Sequence, residues 1–505
     1  MPPSMADVPA RPAPGEAVQR AVERLAHTLA LVGVFAMAAR LVMDGDTFWH
    51  LRAGAWIWAH RTLPWVDRFS YTRLGHPWHY PGWPVELLML GLYRLGGLAA
   101  LFLWMALMVT AAYTLLWPVL RGGPWVRAGV VLLSAATAGL YWAARPYLVT
   151  FVGAALFLWA LEGYRLGRSP RRLAALPLWM ILWANGHGGF IMGFALWGAY
   201  ALPAWLRWLG PCMKLRRGCS PFPWALTLTG PGLLIASLLN PYGPEILGYP
   251  FRTLGMDALR QIAEWQSPDF HQAQTWPFLA MVLLLFLALG ASRRPLAGEH
   301  ALLLVGLGGL AFLAVRNVAL FALGASLPLA AHADEALSPL RAAWATRFPR
   351  SAQARPRPAL NAALTALFLL LALLRAALLW NAPALDKALR QAFPVEAVAY
   401  LKKARPPGRL FNSYNMGAYL LWALPEYPVF ADGRTDLYGD AILDQWFRVA
   451  RAEPGWQQVL DRWGVNLVLI EPQAPIARVL PYAGWCTLFR DERSVVLGRG
   501  KGCDL

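Results

Sequence analysis

Charge is scarce in this sequence. Asp, Glu, Lys and Arg make up 15% of its 505 residues, where a soluble domain carries roughly a quarter. Too little charge is available to clothe an ordinary water-exposed globule of this size. Lysine is nearly missing, with five among 46 basic residues. Cysteine is limited to four, which excludes a disulfide scaffold. Nothing in the composition fits collagen, a coiled coil or a disordered tail. There is no P-loop, GxGxxG, HExxH, GxSxG or CxxC, so ATP-driven transport and soluble-nucleotide chemistry lose support. No repeat of fixed period is visible, and no cleavable signal peptide is apparent. What is abundant is apolar: 57% hydrophobic residues, with 26 Trp and 40 Pro. The expected class is a mainly α, polytopic transmembrane bundle with a more polar portion.

A spanning helix needs about 20 mainly apolar residues, and about eleven candidate runs are present. They lie near 24–43, 86–118 (with a break at Gly96-Gly97), 126–143, 147–163, 172–184, 190–206, 223–239, 276–291, 300–315, 317–332 and 359–380. Several are short enough that their ends should stop below the membrane surface. The loops carry the net charge of +18. With the N-terminus in the cytoplasm, the inner segments hold 20 Lys and Arg and the outer ones 8. That bias favours the N-in orientation and points to membrane lipids, not nucleic acid, as the basic chain's surroundings. The expected organisation is a disordered cytoplasmic 1–20, a transmembrane domain 21–380 with a long outer loop 44–85, and an extracytoplasmic α/β domain 381–505. In that last part, short apolar runs such as 465–470 alternate with helix-like stretches. Cys212 and Cys219 fall in an inner, reducing loop. Cys486 and Cys503 fall outside, and the sequence does not settle whether they pair.

The unusual polar residues all sort to the outer side. Asp44, Asp46 and His50 follow the first helix, and Glu86 opens the second. Arg145-Pro146 lies in one break, and Asn185-Gly186-His187-Gly188-Gly189 in another. Asn240-Pro241-Tyr242-Gly243, Glu264 and Arg316-Asn317 complete the set. Polar groups at membrane depth are costly and tend to mark a cavity, so one outward-opening polar cavity is expected. Asp44-Gly45-Asp46 is its strongest element. Its carboxylates suit a general base, a divalent cation such as Mg or Mn, or simply a helix stop in water. Glu86 equally suits the positive end of its helix. The segment 49–60 is amphipathic and suits the membrane surface. Arg145 and Arg316, set in tight turns, need an anion, either a carboxylate or a phosphate, or else snorkel to headgroups. His187 suits a phosphate oxygen, a metal or a plain turn hydrogen bond. Asp432, Arg434 and Asp436 in the tail fit either acceptor binding and cavity capping or a structural ion-pair cluster.

Several patterns taken together resemble a known class. They are Asp44-x-Asp46-x-x-Trp49-His50-Leu51, Pro64-x-x-Asp67-x-Phe69-Ser70-Tyr71-Thr72, Arg145-Pro146, Trp183-Ala184-Asn185-x-His187-Gly188-Gly189 and Asn240-Pro241-Tyr242-Gly243. The tail adds Phe411-Asn412, Gly417-x-Tyr419-Leu420 and Asp432-Gly433-Arg434-x-Asp436-x-Tyr438. From residue 40 onward the chain resembles the GT-C class of integral membrane glycosyltransferases. That class includes protein mannosyltransferases, aminoarabinose transferases and oligosaccharyltransferases. Within it, the likeness is to a large uncharacterised bacterial group. The chain lacks the later-loop patterns of the mannosyltransferases and the WWD-type tail motif of the oligosaccharyltransferases. The resemblance implies a bacterial cell-membrane enzyme that transfers sugar from a polyprenyl-phosphate carrier, with inversion, to a glycan, lipid or protein acceptor. It implies that Asp44 or Asp46 is the catalytic carboxylate. Arg145, Arg316 and His187 are inferred, not matched, as stabilisers of the leaving phosphate. A transporter or flippase, and a non-catalytic envelope scaffold, are the competing readings.

Overall fold

In the computed structural model, residues 14–213, 221–348, 357–500 and 503 are described; residues 1–13 of the segment expected to be disordered, like Cys219 in the inner loop, lie outside them, whereas 14–20 are helical, as the first turns of the first helix. Each of the eleven apolar runs is a helix. They are α1 (Pro14–Ala38), α3 (Trp83–Leu116), α4 (Pro124–Ala138), α5 (Tyr147–Arg165), α6 (Ala175–Gly186), α7 (Ile191–Met213), α8 (Trp224–Leu238), α10 (Trp276–Ala291), α11 (Gly298–Leu313), α12 (Val318–Ala336) and α14 (Pro358–Ala377). Between them lie α2 (Asp46–His60), α9 (Glu245–Leu254) and α13 (Ser338–Arg347). Six of the eleven runs, those of α1, α3, α5, α7, α10 and α14, are long and apolar enough to cross a membrane. The chain therefore has a multi-pass membrane architecture with fewer full-length spans than runs.

The shortfall shapes the molecule. α6 has 12 residues, α4 and α8 have 15, and α11 has 16. At ~1.5 Å per residue these reach roughly 18–24 Å, against ~30 Å of hydrocarbon. The breaks that follow α4, α6, α8 and α11 are the polar segments around 142–146, 187, 239–243 and 314–317. α12 runs through the middle, buried on every side from Val318 to His332. In α3 the chain leaves helical geometry at Gly96 and Gly97, and Gly97 takes φ +60°, ψ −151°. Only glycine enters that region without strain.

The C-terminal part continues with α15 (Ala382–Ala392), α16 (Val395–Ala404), β1 (Arg409–Asn412), α17 (Tyr414–Ala423), α18 (Thr435–Ala450), α19 (Trp456–Arg462), β2 (Val465–Ile470), α20 (Pro475–Val479), β3 (Cys486–Arg490) and β4 (Val495–Gly498). The strands form one sheet in the order β1-β2-β4-β3, with β1 parallel to β2 and the other pairs antiparallel. β2 and β4 are almost wholly buried, as their apolar sequences, interrupted by exposed Asn466, require. A disulfide joins Cys486 to Cys503.

This α/β part sits on one end of the bundle and is bolted to the long loop after α1. Arg434 is fully buried and binds Asp67 (2.6 Å) and Asp432 (2.7 Å), while the Tyr438 hydroxyl donates to Asp432 (2.6 Å). The guanidinium also lies over the rings of Trp78 and Phe69. Thr72 donates to the Phe430 carbonyl, Tyr71 to that of Leu410, and Ser70 bridges to Val429. One expectation is corrected here. The 49–60 stretch does not lie on the membrane surface. As part of α2 it is packed between α3 and α17, with Phe48, Trp49, His50 and Leu51 buried. Most of its apolar face is covered by protein, and only its last turn, with Trp58, is exposed.

Candidate active site

The polar breaks of the bundle and the loop 44–85 meet beneath the α/β part. There they enclose a cavity of 270 Å³. Arg145 is its hub. It arrives on the extended segment after the short helical turn Gly139–Tyr141. Its Nη1 binds Asp46 Oδ2 at 2.6 Å and its Nη2 lies 3.3 Å from Glu264 Oε2; Nε lies 3.7 Å from Asp44 Oδ2. Nη2 also donates to the Tyr141 hydroxyl, which donates in turn to Glu264 (2.6 and 2.7 Å). Arg316, from the turn Val315–Asn317, binds the other Glu264 oxygen at 2.9 Å and lies 4.1 Å over the Trp265 ring. Three carboxylates thus alternate with two guanidinium groups. With all five ionised the cluster carries one surplus negative charge.

That surplus falls on Asp46. Burial pushes its carboxyl up to about 7; Asp44 and Glu264 add to the rise, and Arg145 opposes it. Glu264 goes the other way. Burial disfavours its charge, but Arg316 and Arg145 outweigh that and hold it at about 2. The two therefore titrate apart although they share one cation. Asp46 opens α2, and its N–H donates to Asp44 Oδ1 (3.0 Å). Gly45 itself has ordinary right-handed geometry, so the turn does not depend on its being glycine. Glycine matters instead across the cavity. A Cβ on Gly433 would stand 1.8 Å from Asp46 Oδ1, so only a bare backbone lets the tail loop come this close.

His187 caps the break after α6. Its Nδ1 accepts the Gly189 N–H (3.0 Å) and faces Thr150 Oγ1 (2.8 Å), itself fixed by Trp183 Nε1. An N–H can only donate, so Nδ1 is the acceptor and the ring proton sits on Nε2. Among the described residues the hydrogen bonds of this ring are all made by Nδ1, and the ring lines the cavity. Nε2–H is left as a donor. His50 also lines the cavity. Its Nδ1 lies 3.1 Å from Glu86 Oε1, with both side chains buried, and burial holds the imidazole well below its usual pKa.

The other residues singled out in the sequence divide. Asn317 lines the cavity. Asn185 does not: it accepts from Trp83 and donates to the Ile181 and Leu239 carbonyls, which ties α6 to α3 and α8. Asn240 spends its amide within its own turn. The Tyr242 hydroxyl donates to the Tyr80 carbonyl. Glu86 stands behind His50, and Asp432 and Arg434 are consumed in the buried bolt. Asp436, singled out in the tail, lines the cavity, and so do residues that were not: Tyr141, Tyr147, Thr150, Tyr249 and Thr435. Burial pushes the Asp436 carboxyl up to about 6. Tyr141 had a signal, one helical turn before Arg145. Thr150, inside an apolar run, had none.

The Asp44/Asp46 pair was also a candidate for a divalent cation. Among the described residues no group of three or more His, Cys, Asp or Glu is placed to hold one. Both carboxylates face the Arg145 guanidinium.

No family model matches the sequence, and no curated protein matches it. Solved structures do match the fold. One is the archaeal oligosaccharyltransferase AglB from Archaeoglobus fulgidus in complex with an inhibitory peptide and a dolichol-phosphate. It has a TM-score of 0.52 and 12% identity over 88% of this chain and 69% of that one. The Archaeoglobus fulgidus oligosaccharyltransferase tethered to an acceptor peptide gives a TM-score of 0.53 and 13% identity, covering 88% and 68%. ArnT from Cupriavidus metallidurans, bound to undecaprenyl phosphate, aligns over 94% of this chain and 97% of its own at a TM-score of 0.43 and 16% identity. The chain has a GT-C-like fold: a membrane helical bundle with a C-terminal α/β domain.

Proposed function

We propose that the protein is a membrane glycosyltransferase. It moves a sugar from a polyprenyl-phosphate carrier to an acceptor on the outer face of the bacterial cell membrane. The observation that carries this reading is the cavity itself. It brings a carboxylate poised near neutrality into one space with a guanidinium and an imidazole N–H. Asp46 accepts the proton of the acceptor hydroxyl as its oxygen attacks the anomeric carbon. The bond from that carbon to the phosphate oxygen breaks, and its electron pair leaves with the lipid phosphate. Attack opposite the leaving group inverts the centre. Arg316 and His187 Nε2–H face the charge that grows on the phosphate, and Arg145 holds Asp46 in place. The products are the glycosylated acceptor, the polyprenyl phosphate and a proton on Asp46.

Of the two acidic candidates Asp46 is favoured, because it lines the cavity while Asp44 braces it from behind. Loop charge favours this end of the bundle lying outside the cytoplasm, and a disulfide in the α/β part suits an oxidising compartment. The test is transfer by purified protein in lipid nanodiscs, using the lipid-linked sugars extracted from its source membrane. Asp46→Asn should stay folded and membrane-inserted and lose transfer. Full transfer by both Asp46→Asn and Asp44→Asn would refute the reading.

A further inference from the structure

We propose that the acceptor, like the donor, enters from within the bilayer, so that it is a membrane-borne amphiphile with a polar headgroup and not a water-borne peptide. The word acceptor rests on the transfer reading above; the route does not. Two independent features of the cavity define it. The first is a closed roof. The α/β part lays Gly433, Thr435 and Asp436 across the top of the cavity. It is held down on one rim by the buried Asp67–Arg434–Asp432 set. On the other rim the Ala258 N–H donates to Asp440 Oδ1 (2.8 Å). Lifting the roof would part Arg434 from Asp67 and leave that buried carboxylate without its cation.

The second feature is the position of the aperture. Of the residues that line the cavity, the two exposed ones are leucines: Leu254 on α9 (60%) and Leu310 on α11 (38%). Every polar lining residue is buried or half-buried. Exposed Phe251, Phe312 and Leu313 continue the same apolar surface outward. An opening framed by exposed aliphatic and aromatic side chains on a bundle of this architecture faces hydrocarbon. A headgroup arriving there slides from lipid into the polar cavity with its chain still in the membrane. A hydrated peptide would have to cross the apolar rim and shed water from its backbone, which is costly.

Thiol labelling in membranes tests the route without any transfer assay. In the full chain, with Cys212 and Cys219 replaced by Ser, a cysteine is placed in the cavity as Thr435→Cys or, separately, Asn317→Cys. Tyr482→Cys, at a site 94% exposed, is the control. Each is treated with dodecylmaleimide delivered in the membrane, or with a maleimide carried on a short water-soluble peptide. The expected result is that the alkyl reagent labels both cavity positions while the peptide reagent labels only the control. Peptide labelling of either cavity position within about tenfold of the control rate would overturn the proposal. So would failure of the alkyl reagent to reach both. If Asp46→Asn proved fully active, transfer by this site would be lost and these outcomes would still decide the route.

Discussion

The Asp46 carboxyl should govern the pH dependence of transfer. Its ordinary value is 3.8, and burial beside Asp44 and Glu264 lifts it to about 7. A general base works only when ionised. kcat/KM should therefore be flat above pH ~7 and fall about tenfold per unit below it. At pH 5 about one molecule in a hundred would hold the base ionised; an unperturbed Asp would give a flat profile from pH 5 upward. The neighbours set the sign of each variant. Asp44→Asn removes a negative neighbour, so the inflection should move to lower pH. Asp46→Asn should cost about 10²–10⁴-fold in rate and leave no inflection near 7. Stability carries the opposite sign. Between pH ~4 and ~7 the folded protein keeps a proton that the unfolded chain has released, so stability falls as pH rises through that window. At ~1.4 kcal/mol per unit the ceiling is about 4 kcal/mol. The true cost is smaller, because the side chain is 27% exposed to the cavity. Asp46→Asn should then be at least as stable as the parent at pH 8, and less advantaged at pH 5. Rates of nanodisc-embedded protein and thermal unfolding at both pH values measure these effects. An Asp46→Asn variant with the parent's inflection would show that another group is the base.

Three further outcomes follow from the geometry. Arg434→Met leaves Asp67 and Asp432 buried without their cation, so unfolding of the α/β part should lose about 3–5 kcal/mol; a loss under about 1 kcal/mol by thermal or denaturant unfolding would contradict the bolt. Gly433→Ala drives a methyl into Asp46, so transfer should fall at least tenfold with little change in unfolding temperature, and a variant with parental transfer would mean that the two do not touch. His187→Ala removes the free Nε2–H donor facing the cavity, and undecaprenyl phosphate should bind about tenfold or more weakly by calorimetry, as loss of one hydrogen bond to a charged oxygen requires; unchanged affinity would place the phosphate elsewhere.

How much of this was legible in the sequence depends on the range of the interaction. The eleven helices, the break at Gly96-Gly97 and the α/β character of the tail were readable, because hydrophobic runs and glycine pairs act locally. The sorting of Asp46, Arg145, Glu264 and Arg316 to one end was readable too, because helix order alternates ends. What pairs with what was not. Arg434 sits 367 positions from Asp67, and no local pattern distinguishes a cavity ligand from a bolt. Both are charged residues in polar motifs. The difference lies in what remains unsatisfied after folding. Arg434, Asp432, Asn185 and Asn240 find their partners in protein, so their motifs describe assembly. Among the described residues His187 Nε2 is left with a proton and no protein acceptor, and Asp46 with more negative charge around it than Arg145 cancels. Those residual imbalances, which only the packed chain creates, separate the chemistry from the scaffolding among residues that look alike when read in a row.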